Sequence, residues 1–167
     1  MPPRPPSEPD EGSEAEEGAS RPAFETLYQE RILQHFRRPH GKGTLDHADA
    51  EGTVHNPLCG ESVTVTLSFD RSAADIRLRD LRFQSDGCSI AQASASMMTD
   101  LVRGRTIAEI EDIAGRVSSV VAGDPDAAED PTLGPAVALS VIRRVPARAA
   151  CALLAWRALA RGLDAGR

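Results

Sequence analysis

The most regular stretch of the chain runs from Ser62 to Asp70, where Val63, Val65, Leu67 and Phe69 alternate with Thr64, Thr66 and Ser68. A period of two puts the apolar set on one face of an extended segment, which predicts a half-buried strand. After a turn at Asp70-Arg71-Ser72, Ile76 and Leu78 continue the apolar alternation, but Leu81 and Phe83 fall in the opposite phase. That change of phase predicts a bulge or bend near Asp80 and an antiparallel hairpin, with Gly52 to His55 as a third strand. Elsewhere the spacing is helical. Phe24, Leu27, Tyr28, Ile32 and Phe36 predict an amphipathic helix packed on the domain and stopped at Pro39, followed by a loop at His40-Gly41-Lys42-Gly43. Ile90 to Val102 is an Ala- and Ser-rich helix suited to close packing, and Thr106 with Glu109 has the capping-box pattern of the next one. Residues 123–135 read as an acidic loop, Ala136 to Ile142 as a short helix, and Ala147 to Leu163 as a longer one opened by Pro146 and closed near Gly162. The expected fold class is α+β, a small antiparallel three-stranded sheet covered on one face by helices.

Length and composition narrow this picture. At 167 residues the chain suits one domain, and with 4% aromatic residues its core must be built mainly from Leu, Val, Ile and Ala. Residues 1–22 combine six prolines with six acids and two arginines, a composition that buries too little apolar surface to offset the entropy of ordering. They are expected to form a disordered acidic tail, leaving 23–167 as the single domain. The tail supplies four of the six net negative charges, so the remainder is nearly neutral. Nucleic acid is not an expected partner, because phosphate binding needs clustered Lys and Arg in excess. No apolar run is long enough to span a membrane and no signal peptide opens the chain, which points to the cytoplasm. Three cysteines in such a protein are expected as reduced thiols, for metal binding, catalysis or core filling.

Each cysteine has its own setting. Cys59 lies in Asn56-Pro57-Leu58-Cys59-Gly60-Glu61, a turn just ahead of the clean strand, with little apolar cover nearby. Cys88, in Asp86-Gly87-Cys88-Ser89, falls between the hairpin and the Ala/Ser helix, where the positive end of the helix dipole favours a thiolate. Cys151 lies inside the last helix among alanines and leucines, where a small core residue and a ligand read alike. Glu61 stands two residues after Cys59, so on extended backbone the two point the same way; the competing reading is a solvated carboxylate. Arg148 is one helical turn before Cys151, either a surface charge or a cation that stabilises a thiolate or persulfide. The four histidines (His35, His40, His47, His55) show no ligand-like pairing: His35 reads as helix surface or satisfied core, the others as loop residues. No CxxC pair is present.

Taken in order, Leu27-Tyr28 through His35-Phe36 to Arg38-Pro39 and Lys42-Gly43, then Asn56-Pro57-Leu58-Cys59-Gly60, then Gly87-Cys88-Ser89-Ile90 running into Ala93-Ser94-Ala95-Ser96-Met97-Met98, then Cys151-Ala152-Leu153-Leu154-Ala155-Trp156, resemble the SufU branch of the IscU/SufU/NifU N-terminal family over about residues 24–163. Two features favour the SufU branch: Ala150 stands where IscU-like members have a histidine, and the segment between Cys88 and Cys151 is longer. The resemblance implies a SufE/NifU-like fold and a Zn2+ ion held by Cys59, Glu61, Cys88 and Cys151, with Glu61 in place of the usual Asp. It implies a sulfurtransferase-like acceptor that takes persulfide sulfur on Cys59 from a SufS-like, pyridoxal-phosphate cysteine desulfurase, and that serves downstream iron–sulfur assembly machinery. The alternative is a scaffold for a transient [2Fe-2S] cluster, with iron rather than zinc at the thiolates. A purely structural zinc in an interaction module is the third reading.

Overall fold

The computed structural model of the protein describes residues 20–58 and 60–167, with side chains from Thr26 onward. The expected disordered tail therefore lies almost wholly outside the described residues, as does Cys59. Ten elements follow one another: α1 (Ser20–Arg37), β1 (Ala50–Asn56), β2 (Glu61–Asp70), β3 (Arg77–Ser85), α2 (Ser89–Val102), α3 (Ile107–Ala122), α4 (Pro125–Ala128), two 3-10 segments (Pro131–Arg144 and Pro146–Arg148) and α5 (Ala149–Gly166). Among the described residues no helix is long and apolar enough to cross a membrane.

The strands pair antiparallel in the order β1-β2-β3, so the cleanly alternating strand is central. Val63, Val65, Leu67 and Phe69 all point into the core, joined by Leu78, Leu81 and Phe83 of β3. The expected phase change is real: Ser68 pairs with Asp80 but Phe69 with Leu78, so Arg79 is the extra residue of a bulge that brings Leu78 to the same face as Leu81 and Phe83. On the opposite face Thr53 and Thr64 share a hydroxyl hydrogen bond of 2.9 Å. Helices cover the apolar face, α5 across β1 and β2, and α2 against α5 and β3, which confirms the three-stranded α+β architecture.

Several boundaries differ from expectation for identifiable reasons. Gly162 lies inside α5, which runs on to Gly166. Its role is packing: a Cβ there would come within 2.8 Å of Leu67 Cδ1, and one on Gly52 would meet the Ala158 carbonyl oxygen at 2.1 Å, so two glycines let helix backbone lie directly on strand backbone. The acidic stretch 123–135 is partly ordered into α4 and the start of a 3-10 segment, because Asp124 and Asp130 each cap the backbone two residues on and Arg116 ties Asp130 to α3 at 2.7 Å. Thr106 and Glu109 form both halves of the capping box. The amphipathic reading of the first helix needs correction on its outward side: Ile32 is buried and Tyr28 half-buried, but Leu27, Leu33 and Phe36 are exposed. His55 belongs to β1 rather than to a loop. The loop after α1 is also more structured than expected, since Gly41 and Gly43 bond Phe83 at 2.8 Å each and so line the outer edge of β3.

Candidate metal centre

Three elements meet where β3 turns into α2. Glu61 is the first residue of β2, Cys88 the N-cap of α2, and Cys151 sits in the first turn of α5. One ligating atom from each, a carboxylate oxygen and two Sγ atoms, lies within 4.8 Å of the others. These residues are separated by 27 and 63 positions along the chain, and the fold brings them together.

Local sequence explains how. Cys88 has extended backbone, with φ −67° and ψ 173°, and makes no side-chain cap bond, so its sulfur is not spent on the helix amides. Instead its backbone N–H donates to Glu61 Oε1 at 3.0 Å, fixing the carboxylate at the positive end of α2. Gly87 permits this approach: a Cβ there would come within 2.8 Å of Ala91 Cβ and 3.0 Å of Ser85 Oγ. Cys151 is fixed through the next residue. Fully buried Ser94 of α2 donates its hydroxyl to the Ala152 carbonyl at 2.6 Å and accepts the Trp156 indole N–H at 3.2 Å, which pins α5 onto α2.

The reading of Glu61 as a solvated carboxylate is excluded, since it is only 8% exposed. Cys151 is 4% exposed, yet it is not merely a core residue, because it faces the other two donors. Burial above all, then a hydrogen bond with Glu61 and the charge of Cys88, push its thiol up to about 12. Two thiols and a carboxylate crowded this closely cannot all carry charge unless a cation shares the space. The donor set is one that suits zinc or iron–sulfur chemistry rather than magnesium or calcium, so the residues present fit a bound Zn2+. Arg148 ends the 3-10 turn before α5, and its exposed guanidinium is held further above its usual range by the charge of Cys88 and by a hydrogen bond to Cys151. The structure thus brings Glu61, Cys88, Cys151 and Arg148 together; Cys59 lies outside the described residues, between exposed Leu58 and Gly60.

Sequence reasoning missed Ser94 and Trp156, whose pairing across two helices leaves no trace in either segment alone. It also missed a second cluster, His35, His40 and Asp100, where the histidines had shown no pairing.

Comparison with known proteins agrees with this geometry. Residues 27–152 match the family described as NifU-like N terminal domain. The chain is 36% identical over 141 residues to the zinc-dependent sulfurtransferase SufU of Bacillus subtilis, covering 84% of this chain and 91% of that protein. It is 37% identical over 133 residues to the iron–sulfur cluster assembly scaffold protein IscU of Streptococcus pyogenes, covering 80% of each. Among solved structures, the N-terminal part of a nitrogen-fixing NifU-like protein from Brucella abortus superposes with a TM-score of 0.74 at 26% identity, over 86% of this chain and 96% of that one. The chain belongs to the NifU-like N-terminal domain family, that of the IscU and SufU iron–sulfur cluster assembly proteins.

Proposed function

We propose that the protein is a zinc-dependent sulfur acceptor in iron–sulfur cluster assembly, taking persulfide sulfur on Cys59 from a cysteine desulfurase in the cytoplasm. The observation that carries this reading is the convergence of Glu61, Cys88 and Cys151 within 4.8 Å, in a chain 36% identical to a zinc-dependent sulfurtransferase. Glu61, Cys88 and Cys151, with Cys59 as the fourth ligand, would hold the ion, which keeps bound thiols deprotonated at neutral pH.

The transfer balances without a redox partner. The Cys59 thiolate attacks the terminal sulfur of the desulfurase persulfide, a new S–S bond forms on Cys59, the old one breaks, and the desulfurase cysteine leaves as a thiolate. Arg148 is suited to stabilise the negative charge of the incoming persulfide, because its guanidinium lies against the sulfurs and remains solvent-exposed. Exposed apolar side chains near the site, Leu58 at 94% and Val145 at 51%, support docking of a protein partner. Adding the full-length protein to its cognate desulfurase with cysteine tests the reading. Turnover should rise with wild type and not with Cys59→Ala; equal turnover with both contradicts it.

One observation favours a second reading, a scaffold for a transient [2Fe-2S] cluster: the Streptococcus pyogenes relative, equally similar, is named a scaffold. Paired thiolates suit such a cluster. Against it, the position before Cys151 is Ala150, where IscU-like members carry a histidine. Anaerobic reconstitution separates the two, since a scaffold passes its cluster to an apo-ferredoxin and a zinc-bound acceptor does not.

A further inference from the structure

Away from the thiolate centre, the end of α1, the loop behind it and the last turn of α2 bring together His35, His40 and Asp100. A ring nitrogen from each imidazole and an Asp100 oxygen lie within 4.8 Å of one another. The rings stand edge to face, with centroids 5.1 Å apart. Cys88 caps the other end of the same helix, so the two clusters are separated by about 18 Å along α2, twelve residues at the helical rise.

The cluster is held from behind. Ser96 Oγ accepts the backbone N–H of His40 at 2.8 Å and lies 2.7 Å from His35 Nδ1. His40 Nδ1 lies 2.7 Å from Asp100 Oδ2. Gly41 keeps the loop in place, because its φ of 77° and the 2.5 Å that a Cβ would leave to Thr99 Cγ2 both require glycine there. A surface ion pair between His40 and Asp100 would need neither His35 nor the buried serine. With a hydrogen on each Nδ1, the serine's two lone pairs satisfy His35 and His40 N–H together, Asp100 accepts from the His40 ring, and both Nε2 atoms keep a lone pair. A hydrogen bond from the distal N–H to an oxygen is what orients imidazoles that bind metal. The two nitrogens of one imidazole point apart, so the carboxylate that holds His40 Nδ1 orients the ring and supplies negative charge behind it, while the ion is held by the two Nε2 atoms.

We propose that His35 and His40, with Asp100 orienting the His40 ring, form a second metal site, distinct from the cysteine centre, for a divalent first-row transition ion. Two imidazoles, one of them backed by a carboxylate, suit Zn2+, Co2+ or Ni2+ and not Ca2+ or Mg2+. Both imidazoles line a cavity of about 500 Å3, together with Gln34, Arg37 and Arg38. These arginines weaken a bare cation's hold and favour an anionic co-ligand on it.

Zinc binding to the full-length chain tests this. After dialysis against buffered free Zn2+, wild type should retain one equivalent more than a His40→Ala/Asp100→Asn double variant, with circular dichroism confirming that the variant keeps its fold. Both substituted residues are exposed, so folding should survive. In a parallel Zn2+ titration followed by imidazole NMR signals, His35 and His40 should shift together while His47 and His55 serve as internal controls. Equal zinc content in the two proteins, or ring signals of His35 and His40 that do not move, overturns the proposal.

Discussion

The Glu61 carboxylate accepts the backbone N–H of Cys88 at 3.0 Å, so the first residue of β2 is fixed to the amide that caps α2. This one bond sets the geometry of two proposed ligands at once. Glu61→Gln preserves an acceptor for the amide but removes the charge. It should leave the stability of the zinc-free protein nearly unchanged and weaken zinc retention by about 100-fold, the upper end of what losing even an outer-shell partner costs. Glu61→Ala should weaken retention as much and also lower stability by about 1 kcal/mol, the net worth of one hydrogen bond. Competition against a chromogenic chelator and urea unfolding separate these effects.

Arg148 touches both described sulfurs from the solvent side. Arg148→Gln should keep the full zinc content and slow desulfurase-dependent sulfur uptake severalfold, with Lys restoring part of the rate. Zinc lost along with activity would instead make Arg148 a structural support for the site.

Ser94 satisfies two buried groups across α2 and α5. Ser94→Ala leaves the Trp156 N–H buried without its acceptor, which should cost about 1–3 kcal/mol. Because Cys151 precedes Ala152, the bonded residue, the same change should weaken zinc retention, although Ser94 is not itself one of the three converging donors. Unfolding curves and the chelator assay check both effects.

The strands were legible because one face of each is buried: alternation in β2, the phase slip in β3 and the Thr106/Glu109 cap are local signals, and each appears in the structure. Gly162 was misread as a helix end for a physical reason. A glycine that terminates a helix and one that lets a strand lie against it are identical in sequence, and only the 2.1 Å clearance at Gly52 tells them apart. The candidate site was legible as far as Cys88, whose turn context showed it. The nearness of Cys151 to Cys88 came from family resemblance, because helical spacing cannot distinguish a core thiol from one aimed at a partner 63 residues away. The histidine cluster was invisible because Asp100 lies 60 residues from His40.

Acid stability should reflect Asp130. Hydrogen bonds from Thr132 first, then from Arg116, hold its carboxyl below the ordinary 3.8. A depressed carboxyl contributes stability that is present above the unfolded-state value and is lost as pH falls through the folded-state value. The contribution of Asp130 should therefore be present above about pH 4 and be lost progressively as pH falls further, through the lower folded-state value. The urea midpoint of Asp130→Asn should start lower at neutral pH and converge on wild type in acid; parallel profiles would contradict this.

The central claim is that separated thiols share one ion. Zinc-edge X-ray absorption on wild-type protein loaded with a single equivalent tests it most directly. The expected first shell is three sulfurs at about 2.3 Å and one oxygen at about 2.0–2.2 Å. A shell of nitrogen and oxygen alone contradicts the thiolate centre and the sulfur-acceptor reading built on it.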